Sequence, residues 1–241
     1  MPVNDNSQAG CMLAEDLRRY YLDTMGVQVW QSLEPQPGDA SAVVETGTAG
    51  SGNDETVWQQ LQQAVSDCTL CELHTSRTQT VFGVGSPVAD LLIIGEAPGR
   101  DEDLQGEPFV GRAGQLLNAM LAAIGFQREQ VYIANILKCR PPNNRDPKPE
   151  EAAACNSWLQ QQIELLQPGV ILALGRIAAH NLLNTDRSLG ALRSRQHSYA
   201  GIPLVVTYHP AYLLRKPVDK RKSWQDLKRV KMLLKNHGSS T

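Results

Sequence analysis

Two short turns in this 241-residue chain carry side chains suited to chemistry. Gly95-Glu96-Ala97-Pro98-Gly99 closes the apolar run Leu91-Leu92-Ile93-Ile94, and His209-Pro210-Ala211-Tyr212 closes a second apolar run much later in the chain. A buried strand that ends in a Gly/Pro turn presents backbone amides and polar side chains at one edge of a sheet. In open α/β folds that carboxyl edge is where ligands bind. One turn supplies a carboxylate and the other an imidazole, so the pair is read as two halves of one active site. A cysteine quartet forms a second constellation. Cys68 and Cys71 make a C-x-x-C, Cys139 follows a candidate strand, and Cys155 lies in the candidate helix after it. Four thiolates, two of them at this spacing, match metal or iron–sulfur ligation, and ligand type alone does not separate zinc from a cluster. The alternative for Cys139 and Cys155 is a small buried residue. A redox C-x-x-C opens a helix beside a thioredoxin-like strand, which is not the setting here.

These residues must be held by regular elements, and the hydrophobic pattern supplies them. Candidate strands run over Leu91 to Gly95, Val131 to Leu137, Val170 to Gly175 and Pro203 to His209. Between them, Gly111 to Ile124, Pro149 to Leu166 and Arg176 to Leu183 have apolar residues at helical spacing. Strands alternating with helices indicate a parallel sheet with crossovers, and runs without strict alternation suit strands covered on both faces. The expected fold is α/β, a three-layer α/β/α sandwich around a four-stranded, mainly parallel sheet. Residues 12–31 read as a helix in an N-terminal extension, 1–31. Residues 32–54 are rich in Pro, Gly, Ser and Thr and read as a flexible linker. The compact domain is expected over 55–241, opening with a helix from Val57 to Ser66 and ending with a basic amphipathic helix from Lys222 to Leu234.

Composition sets outer bounds. A net charge of −2 does not advertise nucleic-acid binding. The segment 215–235 nevertheless concentrates nine Lys and Arg residues, read either as a binding surface or as a solvated helix face. No run approaches the roughly 18 apolar residues of a membrane span, and Met1 to Gly10 lacks the layout of a signal peptide. A cytosolic protein is therefore expected, where clustered cysteines more often bind metal than form disulfides. Cys11 is a bystander on this reading.

Taken in order, the motifs resemble family 4 uracil-DNA glycosylases, the iron–sulfur group. The resemblance covers roughly Trp58 to Leu234. It rests on Cys68-x-x-Cys71, on Gly95-Glu96-Ala97-Pro98-Gly99 with Glu102-Asp103, and on Pro108-Phe109-Val110-Gly111-Arg112-Ala113-Gly114. It continues through Asn135-Ile136-Leu137-Lys138-Cys139-Arg140-Pro141-Pro142 to His209-Pro210-Ala211-Tyr212-Leu213-Leu214. It implies a [4Fe-4S] cluster of structural role on Cys68, Cys71, Cys139 and Cys155. It also implies hydrolysis of the N-glycosidic bond of uracil in single- or double-stranded DNA by a monomer.

The residue types suit that chemistry. A flipped pyrimidine needs an aromatic platform, worth roughly 1–3 kcal/mol in base stacking, and the resemblance assigns it to Phe109, in a Gly-flanked loop. An amide both donates and accepts, matching O4 and N3–H of uracil, and Asn135 is the residue implied, with Ala97 beside the base. His209 would donate to O2, where charge develops as the bond breaks. Pre-aimed donors of this kind contribute about 2.7–4 kcal/mol each. Glu96 is placed on the water or sugar side. Glu102 is placed near the C5 edge, with a helix N-terminus as its other use. The best-known uracil-DNA glycosylases carry an Asp where Ala97 stands, and that carboxylate positions the attacking water. Ala cannot do so, so leaving-group stabilisation is expected to carry more of the rate.

Leu213 and Leu214 are candidates to wedge into the gap left by the base, with Arg215 at phosphates. Arg140 and Arg145, in a proline-bounded loop, are expected at the DNA backbone unless that loop is merely a rigid connection. Arg112 and the terminal helix would add salt-sensitive attraction. Two other readings stand beside this one. A covalent uracil-trapping protein would carry Gln in the first turn and His in the basic loop, and this chain has neither. A non-catalytic iron–sulfur DNA-binding or replication-associated module would need the cysteines but not Phe109, Asn135 and His209 together.

Overall fold

The computed structural model describes residues 51–238, all within one compact unit. The extension 1–31 and most of the segment read as a linker lie outside the described residues. The first helix, α1 (Ser51–Ser66), begins four residues inside that linker segment. A sheet of six strands follows in the order β1 (Val84–Gly85), β3 (Tyr132–Asn135), β2 (Leu91–Gly95), β4 (Val170–Leu174), β6 (Ile202–Thr207), β5 (His197–Tyr199). The four central strands are mutually parallel. They match the four expected from sequence to within a few residues at each end. The four-stranded expectation is corrected at the edges, because β1 and β5 add antiparallel to β3 and β6. Val84-Gly85 and His197-Ser198-Tyr199 are too short to show alternation. β1 pairs with β3, far along the chain, whereas β5 forms a tight hairpin with β6 through Ala200-Gly201, both at positive φ.

Alternation inside the buried strands sorts the core into two halves. Leu92, Ile94, Tyr132, Ala134, Ile171 and Ala173 face α4 (Pro149–Leu166) and α5 (Gly175–Leu183). Leu91, Ile93, Ile133, Val170 and Leu172 face α3 (Arg112–Ile124) and α8 (Lys220–Gly238). Each fully buried Leu or Ile contributes about 1.5–3 kcal/mol. The faces are therefore strongly specified, and a one-residue slip would send each row into the opposite packing layer. Trp58, Leu61 and Val65 of α1 pack with Phe82 and Trp158 as a smaller cluster against α4. The short helices α2 (Arg100–Gln105), α6 (Leu189–Arg193) and α7 (Pro210–Arg215) complete the chain.

The chain runs from β2 to β3 on one side of the sheet, then crosses back to β4 on the other. The carboxyl ends of β2 and β4 therefore flank a topological switch point, where an open α/β sheet forms a crevice.

Candidate active site

A cavity of about 530 Å³ opens at this edge, lined by Glu96, Ala97, Pro98, Gly99, Glu102, Phe109, Ala113, Asn135, Pro141, Asn144, Arg145, His209, Ala211, Tyr212 and Arg215. Register explains part of the convergence, since Gly95 lies directly opposite Asn135 in the β2–β3 ladder. A Cβ on Gly95 would sit 2.4 Å from Asn135 Oδ1 and 2.7 Å from the Phe109 ring, so only glycine lets both side chains close over the strand end. Gly175 follows β4 at φ +90°, and a Cβ there would meet Cβ of His209 at 3.0 Å.

Phe109 is buried and holds the left-handed φ of +56°, which is strained for a bulky residue. Three contacts impose it. Glu102 accepts the Gly99 N–H at Oε2 and the Val110 N–H at Oε1, each at 3.1 Å. Arg128 donates to the Pro108 carbonyl at 2.5 Å. Gly114, in the first turn of α3, lies so close to the Phe109 carbonyl that a Cβ there would overlap it. The Phe109 ring then stands 5.5 Å from the His209 imidazole, tilted by 31°. Glu102 thus lines the cavity while both of its oxygens hold backbone amides.

His209 caps α7, and its Nδ1 accepts the Ala211 N–H at 3.2 Å. Burial, with Arg215 adding repulsion, pulls its pKa down to about 4. The ring is therefore neutral with its proton on Nε2, a donor rather than a titrating acid. Asn135 is buried, and its Oδ1 is the one buried side-chain oxygen or nitrogen without a partner among the described residues. An unpaired buried acceptor costs about 1–3 kcal/mol, and a ligand N–H would satisfy it. Glu96 is half-buried. Burial, reinforced by Asp146 and opposed by Arg176, lifts its pKa to about 7. Asp146 and Arg176 themselves pair at 3.0 Å.

The proposed DNA contacts divide. Leu214 and Arg215 are exposed, and Arg215 reaches the cavity rim. Leu213 is 1% exposed and belongs to the core beneath α7, so it cannot wedge into DNA. Leucines at successive helical positions face in different directions, and the core takes one of them. Arg145 lines the cavity, but Glu151 grips its guanidinium with both oxygens at 2.5 and 2.9 Å. Arg140 is half-buried and donates to Asn144 Oδ1 at 2.7 Å. Tyr212, Asn144 and Ala113 also line the cavity. Tyr212 and Ala113 stand inside motifs that the sequence makes conspicuous, but nothing in their type assigns them a task.

The four cysteines line one small cavity far from either turn in sequence. Three of their sulfurs accept N–H bonds. Arg77 donates to Cys139 at 3.2 Å, the Lys138 amide to Cys155 at 3.3 Å, and Trp158 Nε1 to Cys68 at 3.3 Å. Burial pushes the Cys139 and Cys155 thiols up, Cys155 to about 11, while Arg77 and Lys138 work against it. Such a set fits thiolates bound to a metal group, whose binding deprotonates them. Among the described residues, no group of three His, Cys, Asp or Glu side chains is arranged so that it could hold a single metal ion.

Comparison with known proteins adds ancestry to this geometry. Residues 82–228 match the model of the uracil DNA glycosylase superfamily. A type-4 uracil-DNA glycosylase of Archaeoglobus fulgidus is 45% identical over 69% of this chain and 87% of its own. A type-4 enzyme of Thermotoga maritima is 42% identical over 76% of this chain and 98% of its own. A third, from Pyrobaculum aerophilum, is 44% identical over 70% and 90%. With the matched region holding both site turns, Phe109 and Asn135, the chain belongs to the type-4 uracil-DNA glycosylases of that superfamily.

Proposed function

We propose that this chain removes uracil from DNA by hydrolysing its N-glycosidic bond, leaving an abasic site. The observation that carries the reading is the unpartnered Oδ1 of Asn135, buried beside Phe109 and a neutral His209. A flipped uracil stacked on Phe109 offers N3–H to that oxygen, and the amide NH₂ of Asn135 donates to O4. His209 donates from Nε2 to O2. As the C1′–N1 bond breaks, its electron pair passes to the base and gathers on N1 and O2, where the imidazole proton stabilises it. Water then adds to C1′ and gives up a proton. Glu96, with a pKa near 7, is ionised often enough at neutral pH to accept it. Ala97 offers no carboxylate here. The departure of the base therefore precedes most of the water's attack, and His209 carries the larger catalytic share.

Glu102 holds the Phe109 loop rather than presenting a free oxygen to the base, so the reading near C5 passes to its position, not its charge. Leu214 replaces Leu213 as the wedge, Arg215 and Arg140 take phosphates, and Arg145 supports the loop through Glu151. Cys68, Cys71, Cys139 and Cys155 would hold a [4Fe-4S] cluster. When bound, such a cluster cross-links α4, the segment after β3 and the segment after α1. The protein acts in the cytoplasm as a monomer on single- or double-stranded DNA.

The test is incubation with a uracil-containing oligonucleotide followed by alkali. Strand cleavage at uracil is expected. A permanent protein–DNA adduct would point instead to a trapping protein, and binding without either product to a non-catalytic module.

A further inference from the structure

Among the described residues, the His209 ring takes its one hydrogen bond from the Ala211 amide, inside its own turn, at 3.2 Å. The aim of Nε2 therefore depends on where that turn is held. Two residues upstream, at the end of β6, Thr207 Oγ1 donates to Asp226 Oδ2 at 2.8 Å and lies 3.1 Å from the Ser223 hydroxyl. Asp226 is buried in α8, and the same oxygen accepts Arg193 Nε at 2.7 Å. Arg193, at the end of α6, is also buried, and its own carbonyl accepts Arg229 Nη1 at 2.8 Å. The rest of its guanidinium meets the neighbours of the turn. Nη2 donates to the Lys222 carbonyl at 2.8 Å, and the planar group lies over the Tyr208 ring, 4.5 Å from its centroid. Tyr208 in turn stacks on Tyr212 at 5.0 Å and 15°. Tyr212 lines the cavity, and its hydroxyl donates to Asp219 at 2.7 Å.

A buried ion pair adds little stability over a well-packed apolar pair, but it demands one geometry. Here that geometry converges on Thr207 and Tyr208, the two residues that lead into His209. A guanidinium is the side chain that offers a fork of donors and a flat face for an aromatic ring at once. We propose that the buried Arg193–Asp226 pair is the positioning device of His209, fixing through Thr207 and Tyr208 where the imidazole stands at the uracil O2. Neither Arg193 nor Asp226 lines the cavity, so both act through the turn and not on the substrate. The inference rests on the glycosylase reading and names the residues that aim its main donor.

The test measures single-turnover excision from a uracil-containing oligonucleotide by Arg193→Lys, with and without His209→Ala, alongside affinity for uracil-free DNA. Lysine keeps the charge but loses the fork and the flat face. It should lower the rate roughly 10–100-fold, as misplacement by a residue distant from the chemistry can, while affinity for uracil-free DNA stays parental. In His209→Ala no imidazole is left to aim, so adding Arg193→Lys should change the rate by less than about twofold, the ordinary scatter of such cycles. Asp226→Asn and Tyr208→Leu should likewise slow excision only when His209 is present. Tyr208→Leu leaves the ion pair whole and decides the matter if the other two do not fold. Parental rates in the folded variants overturn the inference. So does an equal loss with and without His209, which would make the pair a support of the fold alone. A loss confined to affinity for uracil-free DNA overturns it too. A parent that leaves uracil in place removes the glycosylase reading itself, and this inference with it.

Discussion

His209 and Glu96 illustrate how environment assigns roles to groups that ordinarily titrate within a few units of neutrality. Burial keeps the imidazole neutral down to about pH 4, so between pH 5 and 8 it has one protonation state and one task, donating from Nε2. Burial and Asp146 move Glu96 the other way, to about 7, so it loses its charge as the pH falls through neutrality. Two outcomes follow for single-turnover excision. His209→Ala should cost roughly 100–1000-fold, the range for one donor at a developing oxyanion, and Glu96→Ala should cost less. In the parent the rate should rise through about pH 7 as Glu96 ionises, and Glu96→Gln should flatten that limb. A limb that persists in the Gln variant would assign it to another group. Retention of the parental rate by His209→Ala would move the catalytic weight elsewhere.

Among the secondary elements, the strand ends do the positioning and glycine makes it feasible. Gly95 leaves room for both the Asn135 amide and the Phe109 ring, and Gly114 lets α3 rest directly on the Phe109 backbone. Glu102 staples the two loops that meet there. Gly95→Ala should therefore overpack the pocket floor at a cost of about 1–3 kcal/mol in stability, with a far larger effect on recognition. The expected result is a folded protein, shown by thermal melting, in which free uracil no longer inhibits and excision is lost. An Ala variant that still binds uracil at parental strength would show that Asn135 and Phe109 do not close on the base as described.

For the whole molecule, a net charge of −2 coexists with a basic run over 215–235, whose first residue, Arg215, lines the cavity. Attraction of DNA then depends on where the charge lies rather than on its sum. Affinity for uracil-free DNA should fall linearly with salt on a double-logarithmic plot. Arg215→Ala should weaken it uniformly across sequences and reduce the slope by about 1. A slope unchanged by that substitution would place Arg215 outside the phosphate track. No described helix is long and apolar enough to cross a membrane.

The linear pattern alone determined the four parallel strands, the helices between them, the cysteine quartet and the family, because periodicity and motif order are local properties of the chain. Edge strands of two and three residues were invisible there, since neither is long enough to show alternation: β1 is held by the distant β3, and β5 by β6 across the turn Ala200-Gly201. Side-chain type also nominated Phe109, Asn135 and His209. It could not say that Asn135 Oδ1 is left unpaired, that His209 is held neutral, or that Leu213 rather than Leu214 turns into the core. It did not reveal that Glu102 and Arg145 spend their charged groups on backbone amides and on Glu151. Nor did it reveal that Lys138 is buried, with Nζ on the Asn135 carbonyl and Gln162 and its backbone amide on Cys155 Sγ. Those outcomes belong to the tertiary structure. Burial and partner supply are decided where segments tens of residues apart come into register, and the free energy of a polar group depends on which atoms meet it there.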